Sequence, residues 1–520
     1  MATTAGGRGP PAAASIIAAA ARPATVDYLT SLVRPHHRFV LIGDSSHGTA
    51  EQCALRADLS LALLNGGGGG GCPFHALVYE SDWPEAFATN LWVRGCAGAL
   101  TAGSARDALQ PYRASRFPTW MWANEQFASF CTRLRELNAA LAPAERKGVY
   151  GCDVYSFDTS MASLIAFYQA AGDEAGAAAA RRRYACFADH GGGDSNRYAV
   201  SIARGSRGCE TEALAQLVET MEKASAEAEA EARAAEERAA AEAGGGGGPA
   251  ASAPQPTAAA VLARERRLDA VSNARAVAAG EHYYRAMASR AGSTWNARDT
   301  AMVLTVRAVE EHVRAVGVKE PRILVWAHDS HLGRAGSSEM SVRRGETNVG
   351  ELLTTLYGRE VLAVGQFTHA GTVAAARAWG RVVESRGVRP ALPGSVEALF
   401  HAAVSVGAPP TFALDLRPDE IGNADVRSVL CQPRRVRNIG VIYRSAPAWM
   451  EIPAHYQAAC LAAPPPGAQG EEEEGGEEPY GLFDVAVFQD ASTAVTPLDP
   501  PPGWGTVVHP EDADGGDEDD

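Results

Sequence analysis

None of the nine cysteines of this 520-residue chain (53, 72, 96, 131, 152, 186, 209, 431 and 460) is spaced from another as C-x-x-C. An odd, scattered set in a long chain predicts reduced thiols in a cytoplasmic setting and speaks against a cysteine-based zinc site. Long apolar runs are also missing: nothing approaches the ~18 residues of a membrane span, so no membrane partner is expected. The Ala-rich patch over 12–21 has no sustained apolar core of signal-peptide type. An acid-free start with Arg8 and Arg22 keeps organellar targeting as the minor alternative. No basic stripe interleaved with aromatics occurs, which excludes nucleic acid as an expected partner. The formal charge of -15 looks informative until it is located: 471–478 carries six acids and 510–520 seven, so thirteen of the fifteen excess negatives sit in two tracts. Both tracts lack aromatic anchors and read as solvated, disordered segments on a nearly neutral body.

What is present is organised around Phe39 to Arg56, FVLIGDSSHGTAEQCALR. Phe39 to Ile42 is a short apolar run, Gly43 permits a sharp turn, and Thr49-x-x-Gln52 has the spacing of a helix capping box. The unit reads strand, tight loop, helix, and open α/β folds place ligands at the carboxyl ends of such strands. Its loop offers Asp44 and His47, and Arg56 can lean back towards them because helical side chains tilt to the N-terminus.

The same pattern recurs along the chain. Strands are expected at Ala76 to Tyr79, ending on Glu80, at Val149 to Val154, bringing Asp153 and Tyr155, and at Ile323 to Trp326, followed by His328 and His331. Further strands are expected at Val361 to Phe367, Phe412 to Leu416, Ile439 to Tyr443 and Phe483 to Phe488, and a helix over Phe117 to Asn138. Continuous apolar strands predict a mostly parallel sheet covered on both faces. The expected fold class is therefore α/β, with a helical insertion of about 157–315 forming a cleft over the carboxyl edge of the strands. Residues 1–24 read as a loose leader, 25–498 as the α/β domain, and 499–520 as an acidic disordered tail. Gly66 to Gly71 is expected to be a flexible linker, 223–260 a low-complexity insert and 464–479 an acidic one.

Three chemistries compete for an edge that gathers Asp44, His47, Glu80, Asp153, His328 and His331. Gly43-Asp44-Ser45 matches the G-D-S of one serine hydrolase class, but the Asp-x-x-His such enzymes carry near the C-terminus is missing. Three histidines with two carboxylates are legitimate metal ligands, yet no H-E-x-x-H or comparably tight signature occurs. Metal-free hydrolysis needs a His as base on water, carboxylates to orient it, and Arg with His to stabilise the oxyanion.

An ordered series of motifs resembles the erythromycin esterase-like family. The opening G-D-x-S-H-G-T with Arg56 is followed by Val78, Glu80, Asp82, Trp83 and Pro84. F-P-x-W-M-W-x-N (117–124), G-x-D-x-Y-S (151–156), Y-A-C-F (184–187), Y-Y-R-A-M (283–287) and W-N-x-R-D (295–299) come next. V-W-A-H-x-S-H-x-G (325–333), N-V-G-x-L (348–352) and I-Y-R (442–444) complete it, so the resemblance spans about 39–498. It implies an esterase that opens an ester or macrolactone, with a link to antibiotic response and no metal or other cofactor. His47 would be the base, Asp44 and Glu80 its orienting partners, and Arg56, His328 and His331 the charge-stabilising or substrate-positioning group. Asp153, Tyr155 and Trp122 are the substrate-binding candidates, although core packing is the preferred reading for Trp120 and Trp122. Asp44 stands where the family pattern has Glu, and Asp329 where it more usually has Asn. The alternatives are a non-catalytic ligand-binding or polysaccharide-biosynthesis-associated member, and a metal-dependent hydrolase. Nothing in the sequence sets an oligomeric state.

Overall fold

The computed structural model describes residues 10–96, 102–113, 117–190, 194–243, 256–289, 293–418, 423–444, 448–463 and 480–510. Two compact units are present, one of Met1–Tyr79, Ala102–Leu134 and Glu320–Asp520, the other of Glu80–Thr101 and Arg135–Lys319.

The first unit is built on a mixed, mostly parallel sheet. Its strands are β1 (Arg22–Pro23), β2 (Phe39–Asp44), β3 (Ala76–Asp82, which continues into the second unit), β5 (Ile323–His328), β6 (Val361–Ala376), β7 (Val383–Val388), β8 (Thr411–Asp415), β11 (Val485–Ser492) and β12 (Val507–Val508). The second unit contributes β4 (Gly148–Asp153), while β9 (Arg434–Arg437) and β10 (Tyr456–Ala459) form a separate antiparallel pair. Across the first unit the order runs β1-β8-β11-β6-β2-β5-β3. From β11 to β3 the strands are parallel, and β8 joins β11 antiparallel. Phe39, Val40, Leu41 and Ile42 are each 0% exposed. That burial is why they form a continuous apolar run, each side chain stabilising by ~1.5–3 kcal/mol.

Several expected boundaries move. Residues 10–23 are no loose leader: Pro10–Ala20 is a helix that packs on the Val396–Ser405 helix, and β1 pairs with β8. Its buried residues Ala13, Ala14 and Ile17 fall on one helical face, a stripe concealed by the Ala-rich composition. The Gly66 to Gly71 segment is held rather than free. Gly69 N donates to Val33 O at 2.7 Å, and the Arg322 guanidinium donates to the carbonyls of Gly69 and Cys72. Gly69 has φ +54°, and a Cβ there would lie 2.2 Å from Arg322, so glycine is required for the approach. The expected disordered tail is not found over 499–510, where β12 pairs with β7; 511–520 and the acidic insert 464–479 lie outside the described residues.

The stretch Ile439 to Tyr443 is not a strand. It makes isolated bridges, Ile439 with Ser46 and Ile442 with Ala376, and its apolar residues are there for burial. The Phe117 to Asn138 helix starts later, as Glu125–Ala139, after a 3-10 turn at Thr119–Met121.

The second unit is chiefly helical, with Trp83–Val93, Phe157–Ala170, Glu174–Ala188, Ser195–Ala203, Glu210–Ala243, Ala258–Ser289 and Thr294–Ala315. The insert expected over 223–260 is helix as far as Ala243 and again from Ala258. It is also docked: Lys223 pairs with Asp173 at 2.7 Å, and Arg267 grips Glu231 through two bonds of 2.7 and 2.6 Å. Reduced thiols throughout is a further expectation that fails, since Cys186 and Cys209 form a disulfide. No helix among the described residues is long and apolar enough to cross a membrane.

Candidate active site

Backbone register does the first part of the assembly. Parallel pairing of β2 with β5 sets Gly43 opposite Ala327 and Asp44 opposite His328, so the two functional residues stand side by side at the carboxyl ends of the central strands. Gly43 is needed for the next contact: a Cβ there would fall 1.8 Å from Asp329 Oδ1.

Arg56, on the Ala50–Leu64 helix, then reaches back as its position predicts, with its guanidinium 2.6 Å from Asp44 Oδ2. Both side chains are buried, at 3% and 0% exposure. The guanidinium also lies over the Trp326 and Trp122 rings, 5.1 and 5.8 Å from their centroids. On the other side of the carboxylate, His47 Nδ1 is 3.4 Å from Asp44 Oδ1. Among the described residues neither Asp44 oxygen meets strict hydrogen-bond geometry, so these are ion-pair contacts with room to tighten. Burial alone would raise the Asp44 carboxyl, but Arg56 and then His47 outweigh it and hold it below the ordinary carboxylate range.

The loop is fixed by backbone and amide contacts. Thr49 is the helix N-cap but makes no side-chain capping bond, contrary to the capping-box expectation. Gln52 instead accepts from Ser46 N at 3.2 Å and donates to Ser45 Oγ at 2.9 Å. Gln366 donates through Nε2 to Gly43 O at 2.6 Å. Ile439 links the two loops, its N–H donating to Ser45 O at 2.7 Å and its carbonyl accepting from His328 Nε2 at 3.3 Å. His328 Nδ1 accepts from Ser330 N at 3.3 Å. Those two bonds assign the His328 ring as the neutral Nε2–H tautomer. It packs against the His47 ring, centroids 4.8 Å apart. His331, three residues on, is buried at 2% exposure in the Asp329–Leu332 turn.

Asp329 is the odd member. Its Oδ2 accepts from Gln366 N at 3.1 Å, while Oδ1, pressed on Gly43, makes no hydrogen bond among the described residues. Burial, helped by the Asp44 charge, pushes its carboxyl well above the usual range. The folded state therefore keeps a proton that the unfolded chain loses near pH ~4, and stability falls as pH rises from there towards the folded value. Asp329→Asn, which cannot titrate, is expected to remove that slope: its melting temperature should gain on the parent's between about pH 5 and about pH 8. A difference that is constant across that range would show Asp329 to be ionised in the fold.

Glu80, Asp153 and Tyr155 gather in the second unit around a residue the sequence reading gave no role. Arg298, from the W-N-x-R-D motif, donates to Glu80 Oε1 at 2.7 Å and to both Asp153 oxygens at 2.9 Å. It lies over the Tyr155 ring at 5.0 Å, and Tyr155 OH meets Tyr283 OH at 3.4 Å. The signal available in sequence was the motif arginine itself, since two buried strand-end carboxylates require a cation. Trp122 is 6% exposed and packs edge-on against Tyr79 and Phe127, as core packing requires. Of the nine candidates, Asp44, His47, Arg56, His328, His331 and Trp122 belong to the first unit, and Glu80, Asp153 and Tyr155 to the second.

Fold and site together define an α/β protein with a polar cluster at the carboxyl ends of a mostly parallel sheet. The erythromycin esterase family model matches residues 72–463, and the chain belongs to that family. The match begins downstream of the Asp44 and His47 loop. Among solved structures, a Bacillus cereus protein is similar at 15% identity and TM-score 0.63, covering 95% of this chain and all of its own. A succinoglycan biosynthesis protein is similar at 13% identity and TM-score 0.62, with the same coverage. A His-to-Asn mutant of the erythromycin esterase EreC in its open conformation is similar at 13% identity and TM-score 0.52, covering 89% of this chain and 93% of that one. At such identities the likeness is one of fold.

Proposed function

We propose that the chain is an ester hydrolase in which His47 activates water against an ester or macrolactone carbonyl, the product being the ring-opened or free acid and an alcohol. The observation that supports this most is the Arg56–Asp44–His47 series, with 2.6 and 3.4 Å between successive groups. Asp44, kept ionised by Arg56, holds the Nδ1–H of His47 and leaves Nε2 to take the proton from water. The hydroxide attacks the carbonyl carbon, and the imidazolium returns its proton to the departing alkoxide. His328, with both ring nitrogens engaged by its own segment and Ile439, acts on the His47 ring rather than on substrate. Glu80 is occupied by Arg298 at 2.7 Å, and the proposal leaves the proton transfer to His47.

The reading requires no metal. Arg56 already neutralises Asp44, and a cation in that position opposes a second one. A panel of macrolactones, small lactones and simple esters tests the activity. The expected result is hydrolysis of at least one, retained after chelation; activity lost to chelator and restored by one ion would establish the metal-dependent alternative. Hydrolysis of a macrolide would add the link to antibiotic response.

A second reading, a non-catalytic member such as one acting in polysaccharide assembly, is favoured by the short Asp44 side chain and its 3.4 Å gap to His47. An Asp44→Glu variant that hydrolyses what the parent leaves intact would select it.

A further inference from the structure

We propose that Cys186, His190 and Cys209 form a zinc-binding site in the thiol state, which oxidation closes as the Cys186–Cys209 disulfide. Cys186 lies in the last turn of the Glu174–Ala188 helix, His190 follows four residues later, and Cys209 directly precedes the Glu210–Ala243 helix. One ligand atom from each of the three lies within 4.8 Å of the others. Tetrahedral zinc, with Zn–S about 2.3 Å and Zn–N about 2.0 Å, spaces its ligand atoms by roughly 3.5–3.8 Å. The cluster needs only side-chain adjustment to reach that spacing once the sulfurs are parted.

The surroundings prepare the histidine for this role. His190 Nδ1 is 2.8 Å from Ser201 Oγ, and that hydroxyl donates its own hydrogen to Ser206 Oγ at 2.9 Å. Ser201 therefore accepts from Nδ1–H, which leaves Nε2 as the lone-pair nitrogen. Zinc-bound histidines carry this kind of partner on their second nitrogen, where it fixes tautomer and ring orientation. The His190 ring also packs edge-on against Tyr198, centroids 5.1 Å apart. The Tyr198 hydroxyl accepts from Cys209 N at 3.0 Å and donates to Glu281 Oε1 at 2.7 Å. One tyrosine thus positions both the second sulfur ligand and the imidazole. A disulfide serving only as a staple between two helices needs none of these contacts to His190.

The two states exclude each other. A dithiol reductant supplies two electrons and two protons, the S–S bond breaks, two thiols form, and the reductant closes into its own disulfide. Zinc then displaces the two thiol protons, forming two Zn–S bonds and one Zn–N bond, with water in the fourth position. Two sulfurs and one imidazole in tetrahedral array are the donor set of zinc among abundant divalent ions. Cys186 and His190 are only partly buried, so reductant and ion have access, whereas Cys209 is fully buried.

The experiment uses the full chain, reduced anaerobically with a phosphine, freed of reductant and titrated with Co²⁺ and then Zn²⁺. Expected is one equivalent of Co²⁺ with a thiolate-to-cobalt charge-transfer band, bleached by Zn²⁺, and no band from protein left oxidised. Cys186→Ser should abolish the band while circular dichroism stays unchanged. His190→Ala should weaken zinc binding by about tenfold or more. Because Cys209 is in the core, Cys209→Ser is secondary, and partly buried Cys186 carries the test if that variant misfolds. A reduced parent without the band, a band that survives Cys186→Ser, or His190→Ala binding zinc like the parent would each overturn the site. None of these readouts depends on ester hydrolysis, so the inference stands or falls apart from the proposed activity.

Discussion

Alanine at position 47 is expected to lower turnover by about 10²–10⁴-fold on an ester that the parent cleaves, with little change in KM. The split follows from the role: the imidazole takes a proton from water in the transition state, and an interaction made only there appears in kcat. His47 is 8% exposed and sits in a loop held by Gln52, Gln366 and Ile439. Arg56, the larger influence on Asp44, stays in place in the variant, which should still unfold cooperatively at a modestly lower melting temperature, and that separates lost chemistry from lost folding. Full turnover by His47→Ala would remove the base from the proposal and with it the proposed reaction.

The second large effect is on stability. Arg56→Met strands a carboxylate of 0% exposure whose nearest cation stood 2.6 Å away. Removing one partner of a buried pair costs about 3–5 kcal/mol, mostly the penalty for an uncompensated charge. The double variant Arg56→Met, Asp44→Asn takes away both charges and should recover much of that loss, while remaining inactive because the His47 partner is gone. The pH dependence separates the two variants further. In the parent the folded Asp44 carboxyl lies below its ordinary value, so its contribution is present above pH ~4 and is lost as pH falls through the folded value. In Arg56→Met burial acts unopposed by the guanidinium, the carboxyl is pushed upward, and the variant should instead become less stable as pH rises. Equal stability of parent and Arg56→Met would show that the ion pair contributes nothing net, and would leave Asp44 without its proposed electrostatic support.

Much of this was legible in the chain itself, for identifiable reasons. The strands Phe39–Ile42, Ala76–Tyr79 and Ile323–Trp326 announced themselves because a strand buried on both faces must be apolar at every position. The reach of Arg56 followed from helix geometry, and the placement of Asp44, His47 and His328 at strand ends followed from where each apolar run stops. The Ile439 to Tyr443 run misled for the converse reason: Ile439 at 2% and Tyr443 at 0% exposure are buried without a ladder, and composition reports burial rather than pairing.

The sequence by itself determined the mostly parallel sheet, its family and the residues standing at the strand ends, because apolar runs and ordered motifs are local properties. Only the tertiary structure decided the partners. Register put Asp44 opposite His328; a carbonyl from Ile439, 111 residues away, fixed the His328 tautomer; Arg298 took Glu80 and Asp153; and two distant cysteines came together beside His190. Each of these depends on the approach of segments far apart in the chain, and spacing along a sequence carries no information on distances that are closed by folding.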